Sequence, residues 1–304
     1  MTTGADQVRT EERNPRTLDI DQLSTRQLLE RLNDEDATVP AAVAAALPKL
    51  AVAVDWVVDA LRAGGRLHYF GAGSSGRIAV LDAAEVPPTF GLSAGSIVAH
   101  PAGGQDAMQV ALEGVEDDER LGLASAADVG PADVAVGITA SGRTPYVAGA
   151  LRAAKAAGAR TVLVSSNPAA PVASLADLCV ITDTGPEAIA GSTRLKAATA
   201  HKLVLNSLST AAMVRLGMTY SNLMVAVQGL NSKLRLRQVR ILSEASGFSA
   251  DRCATELTRC DGDLRLALAS LVSGRPVGEV AQALDSVQGN VRQALALLGE
   301  DVSR

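Results

Sequence analysis

Apolar and polar positions divide the chain into three stretches of different period. From 24 to 63, hydrophobic residues recur at helical spacing in STRQLLERLNDED and again in PAAVAAALPKLAVAVDWVVDALRAG. Two helices are expected there, the second stopped by Gly64 and Gly65. Short apolar runs then alternate with helical patterns: RLHYF from 66, SIVAH from 96, DVAVGIT from 133, RTVLVSS from 160 and LCVIT from 178. Strands separated by helices predict parallel βαβ units, hence an α/β fold with a doubly wound, mostly parallel sheet. This domain is expected over residues 40–220, after an N-terminal arm and helix over 1–39.

The remainder, 221–304, reads as a small helical bundle. STRLKAATAHKLVLNSLSTAAMVRLG (192–217) has helical spacing and leads into it. NLMVAVQGLNSKLRLRQVRILSEASG predicts another helix, on which Lys233, Arg235, Arg237 and Arg240 form either a solvated basic face or a cap over an anionic ligand. CATELTRCDGDLRLALASL (253–271) and VAQALDSVQGNVRQALALL (280–298) then match at an offset of 27 residues, Ala254 falling on Ala281 and Gly262 on Gly289. Each copy is a helix, a glycine turn and a second helix, and two copies are too few for a solenoid.

Composition narrows the class. Hydrophobic residues make up 47% of the 304 positions but aromatics only 2%, so the core is built from Ala, Val, Leu and Ile. A net charge of -5 gives no electrostatic footprint for nucleic acid or an anionic membrane, and stacking platforms are scarce. Cys179, Cys253 and Cys260 have no metal-like spacing and are expected reduced. His68, His100 and His201 are scattered along the chain without metal spacing and are expected to be structural. The polar opening MTTGADQVRTEERNPRTLDID lacks the apolar core of a secretory signal, and no run reaches a membrane span. A cytoplasmic protein is expected.

Two turns carry the candidate chemistry. FGAGSSGR (70–77) follows the first strand and has the spacing G-x-G-x-x-G. A dinucleotide site would need an acid at the end of the next strand, where His100 and Pro101 stand instead. What remains is a hydroxyl-rich helix start, Ser74, Ser75 and Gly76, suited to a phosphate. ITASGRTPY after the third strand supplies a second turn: Thr139, Ser141, Arg143 and Thr144 as donors, Gly142 for close approach, and Pro145 for the next helix. Together they predict a site for one phosphomonoester on a small molecule.

These residues resemble a known family. GAGSSGR paired with SGRTPY is similar to the sugar isomerase (SIS) domain. TEERNP, FGAGSSGRIAVLDAAEVPPTFG, ITASGRTPYV, GPEAIAGSTRLKAATAHKLVLNSLSTAAMVRLG and NLMV resemble the N-acetylmuramic acid 6-phosphate etherases over nearly the whole chain. The resemblance implies a five-stranded SIS sheet, a homodimer, a phosphosugar substrate, and no metal or organic cofactor. It further implies cleavage of the D-lactyl ether to N-acetylglucosamine 6-phosphate and D-lactate, in amino sugar catabolism or cell-wall recycling. The family's acid/base glutamate falls on Glu85 of DAAEVPP, and its second catalytic glutamate on Glu116 of GVEDDER. Ala84, Val86, Ala198, His201 and Ala226 depart from the family pattern but remove neither glutamate.

The chemistry calls for such a pair. Opening the sugar ring to the C1 aldehyde acidifies the C2 proton; its removal lets lactate leave C3, and water adds to the resulting double bond. Each half needs a group that takes a proton and returns it. By residue type alone, Glu85 also reads as a solvated helix-end charge, and Glu116 competes with Glu113, Asp117, Asp118 and Glu119 on an acidic helical face. Which glutamate is acid and which is base stays open, with Glu85 the preferred acid. Lys196 is either a neutraliser of substrate charge or an ordinary helix-surface lysine. A phosphosugar isomerase and a non-catalytic phosphosugar-sensing regulator on the same scaffold are the alternatives.

Overall fold

The computed structural model describes residues 9–227 and 232–300, without the side chain of Lys233. The opening of the N-terminal arm, part of the helix expected around NLMVAVQGLN, and the Lys233 member of the basic face lie outside the described residues. The chain divides into two compact units, with boundaries at 83/84, 94/95 and 209/210.

The first unit opens with α1 (Thr25–Asp36) and α2 (Val39–Arg62). Ser24 and Gln27 form a reciprocal capping box that starts α1. β1 (Leu67–Gly71), α3 (Gly73–Phe90) and β2 (Ile97–Pro101) follow, then α4 (Glu119–Ser125), β3 (Val134–Thr139), α5 (Pro145–Ala156), β4 (Arg160–Ser165), β5 (Leu178–Ile181) and α6 (Lys196–Arg215). Five strands form one sheet in the order β2-β1-β3-β4-β5, and every pairing is parallel. Every residue of β1 and of β3 is buried. Such strands carry apolar runs rather than alternation, because helices flank the sheet.

Ala135, Leu163 and Phe70 pack beneath α5 through Tyr146, Val147 and Leu151. α2 packs on β1, β3 and β5. The helical stretch Thr25–Arg62, α1 and α2 together, is long and apolar enough to cross a bilayer by length and composition. Its buried residues, among them Val39, Leu50, Ala53 and Val57, belong instead to the protein core.

The strand order has one reversal. From β1 the chain moves outward to β2, then returns to place β3 on the other side of β1. Ligands of open α/β sheets bind at the carboxyl ends of strands beside such a switch point. Gly71 lies opposite Ile138 in the ladder, so the turns after β1 and after β3 leave adjacent strand ends.

The second unit contains the ends of α3 and α6, a hairpin of β6 (Thr219–Tyr220) and β7 (Leu223–Met224), and helices α7 (Ser232–Ser246), α8 (Ala250–Arg259), α9 (Leu264–Ser273), α10 (Val277–Ser286) and α11 (Val291–Leu297). The hairpin corrects the helix expected through NLMV: Leu223 and Met224 pair antiparallel with Tyr220 and Thr219, and Ser221 turns at φ 53°. The two copies share local geometry at their glycine turns. Gly262 and Gly289 both take φ 80°, the N–H groups of each closing onto Leu257 and Leu284 respectively. Asp263 and Asn290 then cap the second helix of each copy. Equivalent side chains, Leu257 with Leu284 and Leu268 with Leu295, fill one core.

Candidate active site

The first turn is shaped by two close approaches. A methyl group on Gly76 would sit 2.6 Å from the Gly71 carbonyl oxygen, and one on Gly71 would sit 2.8 Å from the Gly76 nitrogen. Only glycine at both positions lets the end of β1 pass directly into α3. Gly73 begins that helix at φ 54°. The first N–H groups of α3 have no intrahelical acceptor and concentrate partial positive charge there. Ser74 is half-buried beside them. Ser75 is buried, with its Oγ 3.2 Å from Nδ1 of His201 on α6.

The second turn is closed by its own hydroxyls. Thr139 and Thr144 are joined Oγ1 to Oγ1 at 2.8 Å, and the Gly142 N–H donates to Thr139 Oγ1 at 3.2 Å. Ser141 Oγ accepts from the Arg143 N–H, also at 3.2 Å. Gly142 takes φ 69°, and a methyl group there would meet the Ala170 Cβ at 2.3 Å. Arg143 is exposed, while Ser141 and Thr144 are half-buried. Thr139 is only 2% exposed.

Asn167, just past β4, donates to the Ser141 carbonyl at 2.6 Å, and Ser165 Oγ lies 3.4 Å from the Ala140 carbonyl. Neither residue belongs to the two turns that the sequence motifs mark. The SSNP segment that ends the fourth apolar run was the available signal.

Glu116 lies in the loop before α4, not on a helical face as its EDDER context suggested. Its carbonyl accepts the Tyr146 N–H at 3.0 Å, which ties this loop to the first turn of α5. Glu116, Gly73, Arg77, Pro101 and Glu113 line one cavity of about 180 Å³. The cavity therefore places Glu116 near Gly73, at the start of the first turn. Two of its acidic neighbours have other work: Asp118 caps α4 through the Leu121 N–H at 2.9 Å, and Glu119 pairs with Arg152. Glu85 is exposed on α3, the helix that also carries Ser74 and Ser75. Its carbonyl accepts the Thr89 hydroxyl at 2.7 Å.

Lys196 matches neither expectation. It is 1% exposed, and its Nζ lies 2.8 Å from Glu35, itself 1% exposed. Asn14 and Arg16 donate to the same carboxylate at 2.7 and 2.6 Å. The Arg16 bonds, reinforced by Lys196 and Asn14, push the Glu35 pKa down to about 2 despite burial. Glu187, wholly buried, accepts the Lys196 and Ala197 N–H groups at 2.9 Å and so begins α6. The TEERNP and GPEAIAGSTRLK segments thus meet in a structural network.

Two histidines that are distant in sequence also come together. His68 Nδ1 lies 3.0 Å from His100 Nε2, and the His100 ring stacks on Phe70 at 4.6 Å. Burial, with the neighbouring His68 adding to it, lowers the His100 pKa to about 4.

Family comparisons bear on the same elements. The SIS domain pattern matches residues 108–210, and that of the glucokinase regulatory protein N-terminal SIS domain matches 49–155. With the parallel sheet and its two polar turns, these matches define an SIS-domain protein. The chain is 59% identical over 264 residues to an N-acetylmuramic acid 6-phosphate etherase of Thermobifida fusca, covering 87% of each. It is 50% identical over 292 residues to the etherase of Brucella anthropi, covering 95% of each. With the Actinobacillus succinogenes etherase it shares 46% identity, over 95% of this chain and 96% of the relative. The chain belongs to the N-acetylmuramic acid 6-phosphate etherase family.

Proposed function

We propose that this protein is a carbon–oxygen lyase that releases D-lactate from N-acetylmuramic acid 6-phosphate and leaves N-acetylglucosamine 6-phosphate. The observation that carries the reading is the placement of both hydroxyl-lined turns on adjacent strand ends at the switch point of the sheet, with Glu116 in a cavity against the first. Ser74, Ser75 and Gly76 with Thr139, Ser141, Gly142, Arg143 and Thr144 hold the phosphosugar. Helix-start N–H groups and the Arg143 charge favour its phosphate.

Glu85 and Glu116 share the proton transfers. One carboxylate takes the C2 proton of the ring-opened aldehyde; the other carboxyl gives a proton to the lactyl oxygen as the C3–O bond breaks. Water then adds at C3, losing a proton to the carboxylate that protonated lactate, while C2 regains the proton held by the first group. Each group ends as it began.

We further propose a cytoplasmic homodimer. Three free thiols suit a reducing compartment. Both glutamates are exposed in the single chain, whereas proton transfer of this kind is favoured where water is excluded, and a second copy is the natural cover. The match to the glucokinase regulatory protein domain favours one second reading, a phosphosugar sensor without turnover. Lactate release from N-acetylmuramic acid 6-phosphate, assayed for wild type, Glu85→Gln and Glu116→Gln, decides between them. Turnover by wild type alone supports the lyase, binding without turnover the sensor, and phosphosugar isomerisation without lactate an isomerase.

A further inference from the structure

His201 sits in α6, wholly enclosed, and among the described residues its ring makes one polar contact: its Nδ1 lies 3.2 Å from Ser75 Oγ. Its Nε2 is buried without a hydrogen-bond partner. Burial lowers its pKa to about 4, so the ring is neutral at physiological pH and carries a single N–H.

Two tautomers satisfy the contact differently. If the proton is on Nε2, a donor is orphaned in the core and Ser75 must turn its own proton inward. If it is on Nδ1, the orphan is an acceptor, and Ser75 Oγ receives a bond while keeping its proton. Among backbone groups, buried unpaired donors are rarer than under-used acceptors, and the same preference carried to the ring favours the second arrangement. A serine oxygen has one proton and two lone pairs, so accepting from histidine leaves the proton available to another oxygen.

We propose that His201 is a positioning residue whose Nδ1–H fixes Ser75 Oγ as an acceptor, so that the serine proton is directed to a phosphate oxygen of the bound sugar. This rests on the phosphosugar reading above. Neither His201 nor its ring touches substrate; it acts through Ser75, on affinity rather than on bond breaking.

The first measurement is the tautomer of His201 in the wild-type protein, read from side-chain ¹H–¹⁵N correlations and assigned by the resonance lost in His201→Gln; only three histidines contribute. A proton on Nδ1 supports the proposal, and a proton on Nε2 overturns it. The second is binding of N-acetylglucosamine 6-phosphate. His201→Leu is expected to weaken it about tenfold, in line with loss of one well-directed bond to an anion. In turnover KM rises by the same factor while kcat stays within about twofold, and His201→Gln, which can donate an amide N–H, recovers most of the affinity. A folded His201→Leu that binds as wild type does overturns the proposal; if that variant does not fold, the tautomer alone decides. A wild type that releases no lactate sinks the reading of function and leaves these two measurements intact, since neither tautomer nor affinity depends on turnover.

Discussion

Glu113 and Glu116 line the same cavity, three residues apart, yet only Glu116 is fastened by its backbone to the first turn of α5. A carboxyl that moves protons must be held where the substrate carbon is, so the fastened one is the better candidate. Glu116→Gln is expected to lower kcat for lactate release by about a hundredfold or more, with Glu113→Gln within about threefold of wild type. Comparable losses in both variants would put the acid/base role elsewhere in the loop. The sequence motif pointed to Glu116, whereas no motif pointed to the His68–His100 pair. Those residues approach because β1 and β2 pair in parallel with Phe70 opposite His100, which sets His68 diagonally across from it. Pairing register of this kind is invisible to spacing along one chain.

These histidines have a consequence for stability. His68, His100 and His201 all have pKa values lowered from 6.5 in the fold, chiefly by burial, those of His100 and His201 to about 4. The unfolded chain therefore binds more protons than the native one in that interval. Their contribution is complete above pH 6.5 and is lost as pH falls toward 4. Glu35 acts in a lower window: with its pKa depressed from 4.5 to about 2, its contribution fades as pH drops through that range. Urea midpoints measured from pH 7 to 4 should fall, and His201→Gln should flatten the slope. A midpoint independent of pH over that interval contradicts the buried neutral rings.

Among elements, the joint between β1 and α3 and the N-terminal anchor of α6 each rest on a close backbone contact. Gly76→Ala places a methyl group against the Gly71 carbonyl, where backbone rather than a flexible side chain must yield. A loss of about 1–3 kcal/mol is expected, together with weaker phosphosugar binding, because the same shift displaces the N–H groups of the turn. Calorimetric unfolding and binding titration on one sample check both. The Glu35–Lys196 pair behaves differently. Glu35→Gln leaves a buried ammonium without its anion and should destabilise by about 3–5 kcal/mol, whereas Glu35→Leu with Lys196→Met should recover much of that. A double variant as unstable as the single one would assign the loss to Arg16 and Asn14 instead.

The elements themselves were legible unequally. The five strands were visible as apolar runs because both faces of a parallel sheet are covered. The two glycine turns of the C-terminal repeat were visible because positive φ restricts the residue type there. The β6–β7 hairpin was not. Its strands have two residues each, too few for alternation to show, and NLMVAV has the apolar density of a helix. Lys196 was unreadable for a related reason, since the partner that buries it lies 161 residues away in α1.

For the whole molecule, the proposed reaction requires two carboxylates that are exposed in the single chain to act on one sugar. On the proposed reaction both would have to reach C2 and C3 of one substrate, in surroundings drier than either side chain has in the single chain. In a symmetric dimer every site is used twice, so one chain's glutamate can serve a site whose other residues belong to its partner. A mixture of inactive variants tests that. If Glu85 and Glu116 of one site come from different subunits, a heterodimer of Glu85→Gln with Glu116→Gln has one site with both lesions and one with none. Random reassortment of equal amounts then restores roughly a quarter of wild-type activity. If both glutamates of a site come from one chain, every site in the mixture keeps a lesion and no activity returns. Sedimentation at assay concentration completes the argument: a fully active monomer removes the need for a partner, and with it the proposed source of the dry environment.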